Sequence, residues 1–168
     1  LFLRGVARDI TQKAGQKCTA IRRVLVPAAM VDRVKQDLGD RLRGIRVGDP
    51  ALADVRMGPL ATAAQQRDVR DGIERLKGGA DLVCGDAGRG DAALTGVVDG
   101  RGFFQIPVLL YAPDPDRAEV IHSHEVFGPV ATVVPYSGDA AQAARLVCLG
   151  GGGLVSSVYT DDKDFAEE

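Results

Sequence analysis

The sequence predicts an α/β protein: a layered α/β/α domain with a mostly parallel sheet. Three observations carry this. Stretches with apolar residues every three or four positions alternate with short runs rich in valine, isoleucine and leucine. Most changes of pattern fall at glycine or proline. The 168 residues match about one domain, and 45% hydrophobic against 26% charged residues is enough apolar material for one core.

Residues 1–14 form the first helix expected, because Phe2, Val6, Ile10 and Ala14 recur every four positions and Gly15 supplies a stop. Residues 20–26 read as a strand. Pro27 is placed to open a second helix, with Met30, Val34, Leu38, Leu42 and Ile45 as its buried stripe. Gly44 and Val47-Gly48-Asp49-Pro50 end it, and Met57-Gly58-Pro59 is a further turn. A third helix covers 61–77 and stops at Gly78-Gly79. Residues 80–84 read as a short buried strand. The glycines and aspartates of 85–102 read as an exposed loop. Residues 103–111 read as a strand made irregular by Pro107. Residues 130–134 form another strand, 140–149 an alanine-rich helix, and 154–159 a last strand.

Composition removes several function classes. The net charge of −2 offers no electrostatic footprint for nucleic acid or an anionic membrane. Aromatics at 5%, with no tryptophan, make no base-stacking platform. No apolar run approaches the ~20 residues of a membrane span, and residues 1–10 lack the apolar centre of a signal peptide. Cys18, Cys84 and Cys148 are widely spaced and form no CxxC pair, which fits a reducing cytoplasm. The chain opens at Leu1 rather than Met and closes on a helix-like segment. Both ends therefore read as cut, and a larger parent is expected.

Few residues carry chemistry. The four glycines at 150–153 match neither GxGxxG nor GxxxxGK[ST] and read as a helix-to-strand connection. His122 and His124 are two imidazoles without a third ligand nearby, so no metal site is assigned. Cys84 and Cys148 read as core thiols. Cys18 differs: it stands in Gly15-Gln16-Lys17-Cys18-Thr19-Ala20, between a helix and a strand, with Lys13, Lys17, Arg22 and Arg23 around it. Cations favour thiolate, and the thiolate is the nucleophile. Residue chemistry alone leaves open whether Cys18 is a nucleophile or a bland thiol. It also leaves open a cysteine hydrolase using His122 or His124 as base.

The ordered motifs say more. Gly15-Gln16-Lys17-Cys18 is followed by Arg23, then Val47-Gly48-Asp49-Pro50 and Met57-Gly58-Pro59-Leu60. Gly102-Phe103-Phe104-Gln105-Ile106-Pro107, Glu125-Val126-Phe127-Gly128-Pro129-Val130, and Gly153-Leu154 with Val158-Tyr159-Thr160 complete the series. Together they resemble the aldehyde dehydrogenase superfamily over essentially the whole chain. The variant at 15–23 and the glycines before Leu154 resemble more narrowly the ring-opening semialdehyde dehydrogenases of aerobic aromatic degradation. The phenylacetate-degradation type is the nearest match and the benzoyl-CoA type its neighbour.

That resemblance implies the following. Cys18 is the nucleophile, and its backbone N–H is one oxyanion donor. Glu125 hydrogen-bonds the nicotinamide ribose, and Phe127, on the same side if the segment is extended, packs by the nicotinamide. The cofactor is NADP or NAD, with NADP favoured, and the substrate is a small aldehyde, a CoA-linked semialdehyde. Gln65 stands at a cofactor-facing position, but Asp68 replaces the lysine expected three residues on, so Gln65 is not assigned. Residues 1–168 correspond to a partial catalytic domain, without the cofactor domain and the C-terminal tail. The parent is a cytoplasmic homo-oligomer. The isolated chain is inactive and self-associates through surface the missing parts would cover. A non-enzymatic remnant of such an enzyme would carry the same motifs.

Overall fold

The computed structural model describes residues 1–87, 94–98 and 100–167. Four strands form one sheet: β1 (Arg23–Pro27), β2 (Asp81–Cys84), β3 (Val108–Tyr111) and β4 (Val130–Tyr136), in spatial order β1-β4-β3-β2. β4 runs parallel to both β1 and β3, and β2 adds an antiparallel edge. The sheet is therefore mixed but mostly parallel.

Helices cover both faces. On one, α1 (Phe2–Thr11) and α2 (Val31–Arg43) bring Ile10, Leu38 and Leu42 against Val24, Leu109 and Val133. On the other, α3 (Ala63–Leu76), α4 (Glu119–Ser123) and α5 (Ala140–Cys148) bring Ile73, Ile121 and Leu146 against Val108, Leu110 and Val134. Successive strand side chains point to opposite faces. That is why β4, sandwiched between both helix layers, is buried at each position from Val130 to Val134 and reads as an unbroken apolar run. The α/β/α layering expected from the sequence is present.

Capping explains two helix starts. Thr62 accepts from the Gln65 N–H at 3.1 Å to open α3, and Asp139 accepts from the Gln142 N–H at 3.0 Å to open α5.

Several local expectations are corrected. α1 stops at Thr11, and the chain turns through Gln12–Gly15 with Lys13, Ala14 and Gly15 all at positive φ. Pro27 ends β1 rather than opening α2, which begins at Val31 after a 3₁₀ turn. Met30 consequently lies outside the helix and is exposed. Residues 81–84 form an edge strand with Leu82 exposed, because among the described residues only β3 pairs with it. Only Val108–Tyr111 of the expected 103–111 strand joins the sheet; Phe103 makes one isolated bridge to Leu60. Residues 154–159 form no strand pairing among the described residues and are exposed throughout, with Tyr159 set edge-on to the Phe2 ring. Cys148 is exposed, since α5 buries only Leu146 and residues two apart on a helix face different directions. The short helix α4 was not expected. Much of the loop read at 85–102 lies outside the described residues. A last helix, α6 (Lys163–Glu167), follows.

Candidate active site

Two loops enter the sheet at the same end. The Cys18 loop leads into β1, and Glu125-Val126-Phe127-Gly128-Pro129 leads into β4. β1 and β4 are adjacent and parallel, with the Thr132 N–H bonded to the Arg22 carbonyl at 2.8 Å. Parallel neighbours start at the same edge, so the topology brings the loops together.

Their approach is close. Gly15 has φ +70, and a Cβ there would fall on the carbonyl of Gly128. Gly128 backs onto Val69 of α3, where a Cβ would meet the valine side chain. Lys13 (φ 55) and Ala14 (φ 52) hold left-handed backbone immediately before it. A non-glycine residue there costs about 1–2 kcal/mol. The packing that buries Ala14 in the core offsets this cost and delivers Gly15 to the contact.

Cys18 is exposed in a turn just beyond. Its backbone N–H has no backbone acceptor among the described residues. The Lys17 ammonium turns away from it to Asp9 (2.9 Å) and Gln12 (3.0 Å). The Gln16 side chain accepts from the Ala61 N–H at 3.0 Å, tying the loop to the start of α3, and its own amide nitrogen is buried without a partner among the described residues.

Arg22 joins the two loops. Its guanidinium donates to the carbonyls of Gly15 (2.9 Å), Gly128 (3.0 Å) and Lys17 (3.4 Å), and to Glu125 Oε1 (3.3 Å). It also sits 5.4 Å from the centre of the Phe127 ring, within cation–π range. Burial lowers the Arg22 pKa, and Glu125 opposes the shift. Sequence reasoning noted Arg22 only as part of a basic neighbourhood. The available signal was the Arg22-Arg23 pair at a strand's start, where alternation sends neighbours to opposite faces. Arg23 goes elsewhere: it donates to the Leu146 and Val147 carbonyls at the end of α5 and to His122 Nδ1 at 2.9 Å. Burial lowers its pKa as well.

Glu125 and Phe127 are both exposed, while Val126 between them is buried against Gly72; the chain turns tightly at Phe127, where the Gly128 N–H bonds the Val126 carbonyl at 2.9 Å. The Glu125 side chain is 58% exposed. Arg22 holds one of its carboxylate oxygens, and the Phe127 ring is open to solvent on the same side. A carboxylate beside an exposed aromatic face can accept hydrogen bonds from hydroxyl groups and pack against a flat ring. Gln65 lies at the start of α3 and is occupied with its cap residue Thr62.

His122 is committed to structure. Nδ1 takes the Arg23 hydrogen bond, so Nε2 carries the proton that meets the Pro115 carbonyl at 2.8 Å. Neither nitrogen is left to deprotonate a thiol. Among the described residues no group of three or more His, Cys, Asp or Glu side chains could hold a metal ion, and no helix is long and apolar enough to cross a membrane.

Residues 1–168 match the aldehyde dehydrogenase family. A 3,4-dehydroadipyl-CoA semialdehyde dehydrogenase from Aromatoleum evansii is 38% identical over 100% of this chain and 32% of its own length. A 3-succinoylsemialdehyde-pyridine dehydrogenase from Pseudomonas sp is 35% identical over 89% of this chain and 30% of its own. The fold matches betaine aldehyde dehydrogenase from Staphylococcus aureus, in complex with NAD+ and with a BME-modified cysteine. That match has TM-score 0.74 and 28% identity over 86% of this chain and 28% of the other. The chain thus spans roughly 30% of the length of these curated relatives. A family match along its whole length shows that this chain belongs to the aldehyde dehydrogenase family.

Proposed function

We propose that these residues are the nucleophile-bearing part of an NAD(P)-dependent aldehyde dehydrogenase acting on a CoA-linked semialdehyde of aromatic degradation. The observation that carries the reading is the junction at Arg22, where the Cys18 loop meets Glu125 and Phe127.

The Cys18 thiolate adds to the aldehyde carbon, a C–S bond forms, and the carbonyl π pair moves to oxygen. The free Cys18 N–H donates to that oxyanion. Glu125 would accept from the nicotinamide ribose hydroxyls, and Phe127 would pack by the ring. The bound nicotinamide supplies a hydride acceptor. As the C–H pair leaves as hydride and the oxyanion pair re-forms the carbonyl, the acyl group is left on Cys18 as a thioester, which water cleaves to the acid and the free thiol. Two relatives support the substrate class: one is a CoA-semialdehyde dehydrogenase and another a semialdehyde dehydrogenase. NADP is favoured over NAD on the motif resemblance, while the betaine aldehyde dehydrogenase structure holds NAD+. The reading includes a cytoplasmic, homo-oligomeric enzyme and no turnover by the 168 residues alone.

The test follows NADPH or NADH formation by the whole protein with a CoA-linked semialdehyde. Cys18→Ala should abolish it while leaving the thermal melt unchanged, since Cys18 is exposed. Retained turnover in Cys18→Ala would sink the mechanism. NAD(P)H formation by the 168-residue chain alone would sink the claim that it is inactive.

A further inference from the structure

We propose that the cleft beside α1 binds the phosphate groups of a coenzyme A thioester through Arg4, Arg8, Arg41 and Arg56. The inference rests on the dehydrogenase reading for the substrate's reactive end and adds where the other end is held.

The cleft has a volume of about 300 Å³, and its walls carry these four arginines and no acidic residue. That volume is at the low end of ligand sites, ~300–1,000 Å³, and suits a nucleotide head group rather than a whole coenzyme. Ala7 and Ile45 give it apolar surface. Among the described residues Arg4, Arg8 and Arg41 have no ion pair, whereas Arg33, Arg43, Arg46, Arg117 and Arg145 each meet an aspartate. Arg56 is steadied by the Ala53 carbonyl at 2.8 Å, which leaves its charge uncompensated. Four like charges around one cleft repel each other, and a polyanion removes that repulsion. Guanidinium forks match phosphate oxygens in geometry as well as charge.

One wall of the cleft is tied to the loop that carries Cys18. Arg4 and Arg8, four residues apart, share one face of α1. Gln12, on the same wall, accepts from Lys17 at 3.0 Å, and Lys17 precedes Cys18. A coenzyme A thioester keeps its phosphates at the adenosine end, remote from the acyl aldehyde. A grip on the phosphates here leaves the extended arm to carry the aldehyde toward Cys18. NADP+ is also an adenosine nucleotide with several phosphates, so the experiment must separate the two.

The whole protein is titrated calorimetrically with desulfo-coenzyme A and, separately, with NADP+, as wild type and as Arg8→Glu/Arg41→Glu. Arg8→Gln/Arg41→Gln serves as a milder second variant, and both side chains are exposed. Affinity for desulfo-coenzyme A should fall at least about tenfold in the glutamate variant and less in the glutamine variant. Wild-type binding should weaken as salt is raised. The KM for the CoA-linked semialdehyde should rise more than that for a free short-chain aldehyde. Unchanged desulfo-coenzyme A affinity in both variants would overturn the proposal, as would a loss confined to NADP+. A wild-type protein that oxidises free aldehydes but binds no desulfo-coenzyme A overturns this site and leaves the dehydrogenase standing. Arginine-dependent binding in a protein that oxidises no aldehyde supports this site and overturns the dehydrogenase reading.

Discussion

Arg22 and Glu125, 103 positions apart in the chain, meet at 3.3 Å where the two loops enter the sheet. The shorter bonds of Arg22, 2.9 Å and 3.0 Å, go to the carbonyls of Gly15 and Gly128. The Glu125 contact is longer and its carboxylate is mostly in solvent, so it is worth no more than about 1 kcal/mol. Arg22 therefore stabilises the junction through the backbone carbonyls, and orients Glu125 and Phe127 at little energetic cost.

Replacing Arg22 separates these roles. Arg22→Lys keeps the charge but cannot reach carbonyls on both loops and Glu125 together, because it lacks the planar fork. The KM of the whole protein for NAD(P)+ should rise about tenfold in Arg22→Lys and further in Arg22→Gln. A fall in kcat with an unchanged cofactor KM would show that Arg22 does not position Glu125.

Gly15→Ala tests the loop contact itself. The left-handed backbone alone costs alanine about 1–2 kcal/mol, and its Cβ must displace the Gly128 carbonyl. Gly151→Ala is the control: its φ is also positive, but a Cβ there meets nothing within 4 Å. The urea midpoint should drop clearly more for Gly15→Ala than for Gly151→Ala. Equal drops would mean that the backbone conformation, not the contact with Gly128, dominates.

These contrasts mark what the sequence could reveal. Val130 to Val134 announces a strand because both faces of β4 are buried, and the stripes of α2 and α3 announce helices because each packs one side. Phe103 to Pro107 carries a strand's composition, yet Gln105 turns inward and bonds the Asp86 carbonyl at 2.7 Å, which no local pattern encodes. Val155, Val158 and Tyr159 likewise give 154–159 a strand's composition, yet no strand lies beside it among the described residues. The residues of the site could be named from their motifs. That Arg22 binds them together depends on parallel pairing across 103 residues, information that belongs to the fold rather than to either loop.

The three thiols should differ in reactivity. Cys18 and Cys148 are exposed, and Cys84 is buried with its pKa raised, chiefly by burial and partly offset by Arg43. At pH 8, iodoacetamide should label Cys18 and Cys148 in the folded chain and Cys84 only after unfolding, as read by peptide mass spectrometry. A raised folded pKa means that the neutral thiol's stabilisation is fully present below the unfolded thiol pKa, about 8.5. It is lost as pH climbs through the folded value. The urea midpoint should therefore decline on the alkaline side, and less steeply in Cys84→Ala. A decline of equal slope in the variant would assign it to other groups, such as Tyr136, whose pKa burial also raises.

The segment after the glycines should drive self-association of the 168-residue chain. Leu154, Val155 and Val158 are 70%, 58% and 65% exposed, and no residue of 154–159 donates a backbone hydrogen bond to other main chain among the described residues. Six consecutive residues with no charge and no proline, three of them (Val155, Val158 and Tyr159) strong strand formers, make a template for intermolecular strand pairing. Covering the three aliphatic side chains contributes at most about 1.5–3 kcal/mol each, against an association cost of about 4–15 kcal/mol. Side-chain burial alone thus gives weak association, and only added strand pairing makes it firm. Light scattering should show a mean mass that rises with concentration, and Val155→Lys/Val158→Lys should hold the chain monomeric over the same range. A wild-type chain that stays monomeric throughout would mean that the segment's unpaired backbone is satisfied by water and that its exposed valines are too few to overcome the cost.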